Sequence, residues 1–324
     1  MIGKNLKINK NIIFKTLIFF FLGSYKIYSL ESSIKIDTRF ESISDSENGE
    51  TSFRIIPPRL FASAGKKDDF KFVFRIRLEE PQRENRTLDF LTVEKKLSNT
   101  LSITLGKQYL KFGGLEWAHN GYRVYRFSWA RQTIRPFANG LKLTYNSPTL
   151  GYFDFQILDG TQYSEAFTGT NDKIYTSYWK RSFLNNSITP ILSYSRAYFK
   201  ENYHSDFYAA GLKLSHFGFD FEIDYQKVKN FYLASTDQSS GTISTKNGHS
   251  IFSLLKYKEG NINPFISVVS DKSTVDGKEE SDITKTYYMG GIEYFHKSNK
   301  QVRYHIVYNH DKILAGFYSN IGIL

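Results

Sequence analysis

FGFDFEIDYQ, residues 217–226, decides how the rest of the chain is read. Phe217, Phe219, Phe221, Ile223 and Tyr225 fall on one side, and Asp220, Glu222, Asp224 and Gln226 on the other. A period of two belongs to an extended strand, not to a helix. FKFVFRIRLE, residues 70–79, repeats the arrangement: Phe70, Phe72, Phe74, Ile76 and Leu78 oppose Lys71, Arg75, Arg77 and Glu79, with Val73 among the latter. Ile34, Ile36 and Phe40 oppose Lys35, Asp37, Arg39 and Glu41. Val302, Tyr304, Ile306 and Tyr308 oppose Arg303, His305 and Asn309. Segments of this kind recur along the chain at about ten residues each, the length of a membrane-spanning strand.

A soluble sandwich also alternates, but here the apolar face is loaded with aromatics. There are 23 Tyr and 28 Phe, yet mean hydropathy is −0.41. A protein this aromatic and this polar keeps its apolar groups on a wall with lipid on one side and water on the other. The connections agree. Short breaks near Gly65–Asp69, Leu97–Thr100, Asn146–Thr149, Asn185–Ser187, His216, Glu259–Asn261 and Lys297–Lys300 alternate with mostly longer polar stretches: Ile43–Glu50, Glu80–Thr87, Lys111–Arg135, Asp159–Asp172, Lys200–Ser205, Asn230–His249 and Ser270–Asp282. The expected fold is all-β: a transmembrane antiparallel up-and-down β-barrel of about sixteen strands, as in a Gram-negative outer membrane, with short turns periplasmic and long loops outside. Pro57 and Pro58 fall where the second strand should run, so a bulge is expected there. The segments Ile188–Tyr198 and Ile262–Val269 alternate poorly, and their facing is open.

Residues 1–29 read as a signal peptide: Lys4, Lys7, Lys10 and Lys15 precede the short apolar run Thr16–Gly23. That run falls short of the ~20 residues of a spanning helix. Residues 30–324 are then the barrel domain. The leader carries five lysines, Lys26 being the fifth, and no acid, so its removal lowers the net charge from +11 to +6. The remainder favours anionic solutes over nucleic acid. The absence of cysteine suits an oxidising periplasm and excludes thiol nucleophiles and thiolate metal sites.

In order and spacing, three stretches resemble the phosphate-selective porin O and P family. They are FRIIPPRLFASAGKKDDFKFVF (residues 53–74), LSITLGKQYLKFGGL (residues 101–115) and NGLKLTYNSPTLGYFDFQILDG (residues 139–160). In the second, Gly106, Lys107, Gln108, Lys111, Phe112, Gly113 and Glu116 match the family's strand-and-loop pattern. The resemblance covers residues 34–183. It implies a sixteen-stranded homotrimeric channel with an inward-folded third loop and a basic lumen, passing small hydrophilic solutes with a preference for phosphate-like anions. Pro57, Pro58 and Arg59 stand where paired arginines are expected, and Leu324 stands where the family has an aromatic. The alternative is a non-conducting barrel serving as adhesin or scaffold.

Two candidate sites follow. The third long connection carries Lys111, Arg123, Arg126, Arg131 and Arg135, with Tyr122, Tyr125, Phe127 and Trp129 between them and Glu116 as its one acid. Folded inward, it makes a pore constriction where fixed guanidinium charges lower the barrier for anions. Folded outward, it is a surface loop solvated or bound to lipopolysaccharide. The second set is the basic face Lys35, Arg39, Lys71, Arg75 and Arg77, which either lines the lumen or pairs with Asp37, Glu41 and Glu79 on neighbouring strands. The acidic strand Asp220, Glu222 and Asp224 raises a transverse field as an equal alternative to anion selectivity. Outer-membrane lipid and lipopolysaccharide are the surrounding partners. No catalytic residue, metal or cofactor is expected: the seven His are scattered, and no phosphate loop or HExxH motif occurs.

Overall fold

The computed structural model describes residues 30–46, 48–66, 69–78, 88–119, 124–134, 136–160, 173–199, 203–233, 244–275, 283–296 and 301–322. The expected leader and Leu324 lie outside them. The strands are β1 (Leu30–Asp45), β2 (Thr51–Lys66), β3 (Phe70–Arg77), β4 (Leu88–Lys96), β5 (Leu101–Tyr109), β6 (Phe137–Ser147), β7 (Gly151–Asp159) and β8 (Lys173–Lys180). They continue as β9 (Ile188–Phe199), β10 (Tyr203–His216), β11 (Phe219–Leu233), β12 (Ser244–Tyr257), β13 (Ile262–Val275), β14 (Ile283–Phe295), β15 (Val302–Asn309) and β16 (Lys312–Gly322). Two short helices, α1 (Leu115–Ala118) and α2 (Trp129–Thr133), lie in the connection between β5 and β6.

Each strand pairs antiparallel with its sequence neighbours, and β1 pairs with β16 from Lys35↔Gly322 to Asp45↔Lys312, closing a sixteen-stranded up-and-down barrel. Closure leaves no edge strand, which is what allows a sheet to stand in lipid. The period of two sorts the faces. On β7, Asp154 and Gln156 are buried inward while Phe155 and Ile157 are exposed outward. On β11, Glu222, Asp224 and Gln226 are inward, and Phe221, Ile223 and Tyr225 face out.

Local departures have local causes. At Pro57–Pro58 the expected bulge is present: Asp37 pairs with Arg59 and Arg39 with Ile56, so β2 spends one residue more than β1. The Pro58 carbonyl still accepts the Leu78 N–H at 2.8 Å. Phe217 is not on the β11 face. It takes φ 45° beside Gly218 at 77°, forming the tight turn from β10. Ile43–Glu50 and Lys200–Ser205 are not long connections either. β1 runs on to Asp45, with Ser44 and Thr51 hydroxyls 3.0 Å apart across the pair, and β10 begins at Tyr203. Polar residues that can still pair keep a hairpin zipped beyond the membrane. On β9 the weak alternation resolves with Ile191, Ser193, Ser195 and Ala197 inward and Leu192, Tyr194 and Tyr198 outward.

A barrel has no conventional core. The main buried apolar cluster here lies inside the lumen, where Leu110, Phe112, Trp117, Ala130 and Ile134 of the β5–β6 connection pack on Leu158, Ile174, Ala197, Phe207 and Val228 of the wall. Phe112 meets Phe207 edge-on at 5.7 Å between ring centres. The connection is therefore a packed element of the barrel.

Candidate pore constriction

The inward turn of the third loop begins where β5 ends. Leu110 donates to the Pro136 carbonyl at 2.8 Å, joining the loop's two stems. Gly113 and Gly114 then bring the backbone hard against the wall. A Cβ on Gly113, which has φ +93°, would stand 2.0 Å from the Trp117 ring, and one on Gly114 would stand 1.9 Å from Asp224 Oδ1. This close approach lets wall side chains hold main-chain groups. Gly113 N donates to Ser193 Oγ at 2.9 Å, Glu116 N to Asp224 Oδ2 at 2.6 Å, and Lys111 N to Gln156 Oε1 at 2.7 Å.

Glu116 staples the two halves of the loop together. Its fully buried carboxylate accepts Ser128 N at 2.7 Å, Ser128 Oγ at 2.6 Å and Gln226 Nε2 at 2.8 Å. Desolvation pushes this carboxyl above the ordinary Glu range, and the three donors offset that only in part. Ser128 also caps α2, accepting Arg131 N at 3.2 Å. Trp129 N reaches Asp271 at 3.0 Å, and Ala130 N reaches Ser250 at 3.2 Å. Farther on, Tyr125 stacks on Phe265 at 5.5 Å between ring centres and donates to Glu293 at 3.1 Å, while Arg39 and Asn309 donate to the Val124 and Tyr125 carbonyls. Among the described residues the loop's polar contacts thus run along β5, where the Tyr109 hydroxyl donates to the Trp117 carbonyl, and along β7, β9, β11 to β15 and β1. They leave the wall from β2 to β4 facing the loop across the lumen.

That wall carries the arginines. Asp89, 2% exposed, lies beside the β-bulge where β3 and β4 slip register. Arg75 Nε and Arg77 Nε each stand 2.9 Å from it, and Arg59 Nε stands at 3.8 Å. Three guanidinium groups gather on this carboxylate, a formal sum of +2 over the four side chains, and Arg59 and Arg77 have further contacts of their own. Arg75 lies over the Phe90 and Phe137 rings at 4.7 and 5.2 Å. Across the loop, Arg131 lies over Trp117 at 3.8 Å and Phe127 at 5.2 Å, with Tyr109 at 5.8 Å. The Tyr109 and Phe137 rings are 5.6 Å apart. An aromatic floor therefore runs unbroken from Arg131 on the loop to Arg75 on the wall. Arg131 rests on ring faces, which leave a cation its charge, whereas Arg75 combines its ring contacts with the Asp89 carboxylate.

The sequence candidates are distributed as follows. Arg131, Arg75 and Arg77 meet around this floor. Arg126 stacks on Tyr287 at 3.4 Å, with no carboxylate in salt-bridge reach among the described residues. Lys111 is half-buried, its ammonium over Tyr178 and Tyr152 at 5.1 and 5.7 Å, on the β7–β8 side. Arg123 and Arg135 lie outside the described residues. Arg39 is buried and paired with Glu41 at 3.1 Å, in a cluster with Arg54, Arg303, Lys256, His305 and Glu293 beneath Tyr125. Lys35 and Lys71 share the inward register with Arg39 and Arg75 but are exposed at the short-turn end. Arg59 was missed as a site residue, although β2 and β3 mirror each other across the turn after Lys66 and that symmetry sets Arg59 opposite Arg77.

The acidic strand does not present a free acidic wall. Asp224 lies beneath the loop and is spent on its backbone. Glu222 pairs with His119 at 2.5 Å and Lys213 at 3.5 Å, and Asp220 pairs with Lys213 at 2.7 Å and with Lys258.

No family model matches the chain, and no curated protein matches it. Solved structures do. OmpF of Salmonella typhi in complex with daunomycin superposes with a TM-score of 0.68 at 13% identity, over 91% of this chain and 97% of that one. The trimer form of OmpT, an outer membrane protein of Vibrio cholerae, gives 0.65 at 10% identity, over 91% and 99%. The outer membrane channel DcaP of Acinetobacter baumannii gives 0.62 at 10% identity, over 93% and 99%. At these identities the likeness concerns the fold. With its apolar outer wall and closed sheet, the chain has the architecture of the porins and channels of the Gram-negative outer membrane.

Proposed function

We propose that this barrel is a porin, passing small hydrophilic solutes by passive diffusion with a preference for phosphate-like anions. The observation that carries the reading is the gathering of Arg59, Arg75 and Arg77 around Asp89, facing Arg131 across the Tyr109–Phe137 floor. A guanidinium fork matches an oxyanion, and in a narrow wet passage a surplus of fixed cations admits anions and delays cations. The loop held against β7–β15 narrows the lumen toward this side. The resemblance of residues 34–183 to the phosphate-selective porin O and P family supports the same solute class, and the trimer form of OmpT supports a homotrimer. The lipid partners on this reading are the surrounding outer-membrane lipids, lipopolysaccharide among them.

Planar-bilayer recording tests it. Ohmic single-channel steps, with a reversal potential of anionic sign in a salt gradient, are the expected result. Well-folded protein that gives no steps would favour the scaffold or adhesin. Steps of cationic sign would keep the porin and discard the anion preference.

A further inference from the structure

The outer wall is not uniformly convex. Between β7 and β11 a groove of about 460 Å³ opens on the lipid side. Its floor is made by the small side chains of Ser177 and Ala210, and Phe155, Trp179, Leu192 and Tyr208 stand around it. Register explains the hollow: Phe155 pairs with Ser177, and Ala210 pairs with Leu192, so large residues flank small ones on the same face.

One rung farther toward the long-loop end, roughly 7 Å along the strands, the same face turns polar. Arg196 Nε donates to Asp206 at 2.7 Å and its Nη2 to the other oxygen at 3.1 Å, and Tyr194 donates to Asp206 at 2.8 Å. Lys229 sits directly opposite Asp206, and Lys227 opposite Tyr208. The Lys229 ammonium lies over the Tyr208 ring at 5.8 Å. Both lysines are exposed, and no carboxylate among the described residues pairs with either. His249 stands across from Lys227 on the next strand. Asp206, the acid of this cluster, is already taken by Arg196 and Tyr194.

We propose that this is a seat for a phosphorylated glycolipid of the outer leaflet, of the lipopolysaccharide type: one acyl chain in the aromatic groove and a phosphate on Lys227 and Lys229. It gives a location to the lipid partner of the preceding section. An apolar groove directly beneath unpaired cations matches a chain directly beneath an anionic head, and long cationic side chains reach the interface while their stems stay in the apolar layer. A second copy of the chain fits less well. It would have to bury both lysines, and the nearest acid on this face, Asp206, is already engaged by Arg196, Tyr194 and His204.

The full chain, extracted from outer membranes in mild detergent, is titrated with diphosphoryl lipid A, dephosphorylated lipid A and phosphatidylglycerol, and bound lipid is counted by native mass spectrometry. Diphosphoryl lipid A should bind tightest. Lys227→Gln with Lys229→Gln should weaken it at least tenfold and leave the dephosphorylated form unaffected. Ala210→Trp, which fills the groove, should weaken both lipid A forms. Heat-modifiable migration on gels verifies that each variant is folded. Equal binding of all three lipids, or binding indifferent to both variants, would mean ordinary annular lipid and overturn the proposal. A disulfide between copies through Ala210→Cys would make the groove a subunit contact and overturn it too. The salt-gradient reversal potential of the lysine variant should match the parent's, so failure here and failure of the porin reading register in different measurements.

Discussion

Replacing Arg75 and Arg77 together by Glu should turn the selectivity of the pore. The two guanidinium groups stand 2.9 Å from Asp89, which also holds Arg59 at 3.8 Å. The substitution takes the four-residue cluster from two net positive charges to two net negative, a swing of four. For an ion passing roughly 8 Å away through water, each unit charge contributes about 0.5 kcal/mol, and screening near 0.1 M salt cuts this to about 0.2. Four units then disfavour an anion by about 1 kcal/mol and favour a cation by as much, so the permeability ratio should move by roughly 20- to 30-fold. Low-dielectric walls focus the field and would enlarge the effect. The assay is the reversal potential of single channels in a tenfold salt gradient, and the expected result is a change of sign. Neutralisation to Gln at both positions should give about half the shift, and it avoids setting new carboxylates beside Asp89. A folded Glu variant with an unchanged reversal potential would refute the reasoning and place the cluster off the path of the current.

Three further outcomes follow from the loop and the wall. Arg126→Glu with Arg131→Glu should shift the reversal potential in the same direction with the barrel still folded; if only the wall variants shift it, the loop arginines lie outside the pore. Asp224→Ala removes the acceptor of the Glu116 N–H, leaving a buried donor unsatisfied at a cost of about 1–3 kcal/mol, and should loosen the loop, seen as noisier and larger single-channel currents. Gly106→Val should stop the barrel from assembling at all, since Gly106 has φ +115° and a Cβ there would stand 2.2 Å from the Leu91 carbonyl; recovery of heat-modifiable protein would contradict that geometry.

The alternation at Phe70–Arg77 and Phe219–Gln226 was enough for the wall, because in lipid every backbone group must pair within the sheet and the side chains must sort by face. The lengths of the connections were less legible. Whether Ile43–Glu50 loops or stays zipped depends on cross-strand partners such as Ser44 with Thr51. Strand content, the faces of the clearly alternating strands, the bulge at Pro57–Pro58 and the basic character of the third loop were determined by the sequence alone, since each rests on neighbours along the chain, whereas the facing of β9 and the turn at Phe217 were not. What only the tertiary structure decided is which charges come together. Asp224 and Arg39 look in sequence like their neighbours on the same faces. The folded loop spends the first on its own backbone, and Glu41 takes up the second. Arg59, set beside two prolines, joins Arg75 and Arg77 only when the β2–β3 hairpin closes. Charge along a strand is a local property, but its cancellation rests on contacts that run from two residues apart, as for Arg39 and Glu41, to 108, as for Glu116 and Asp224, and only the folded chain brings the distant ones together.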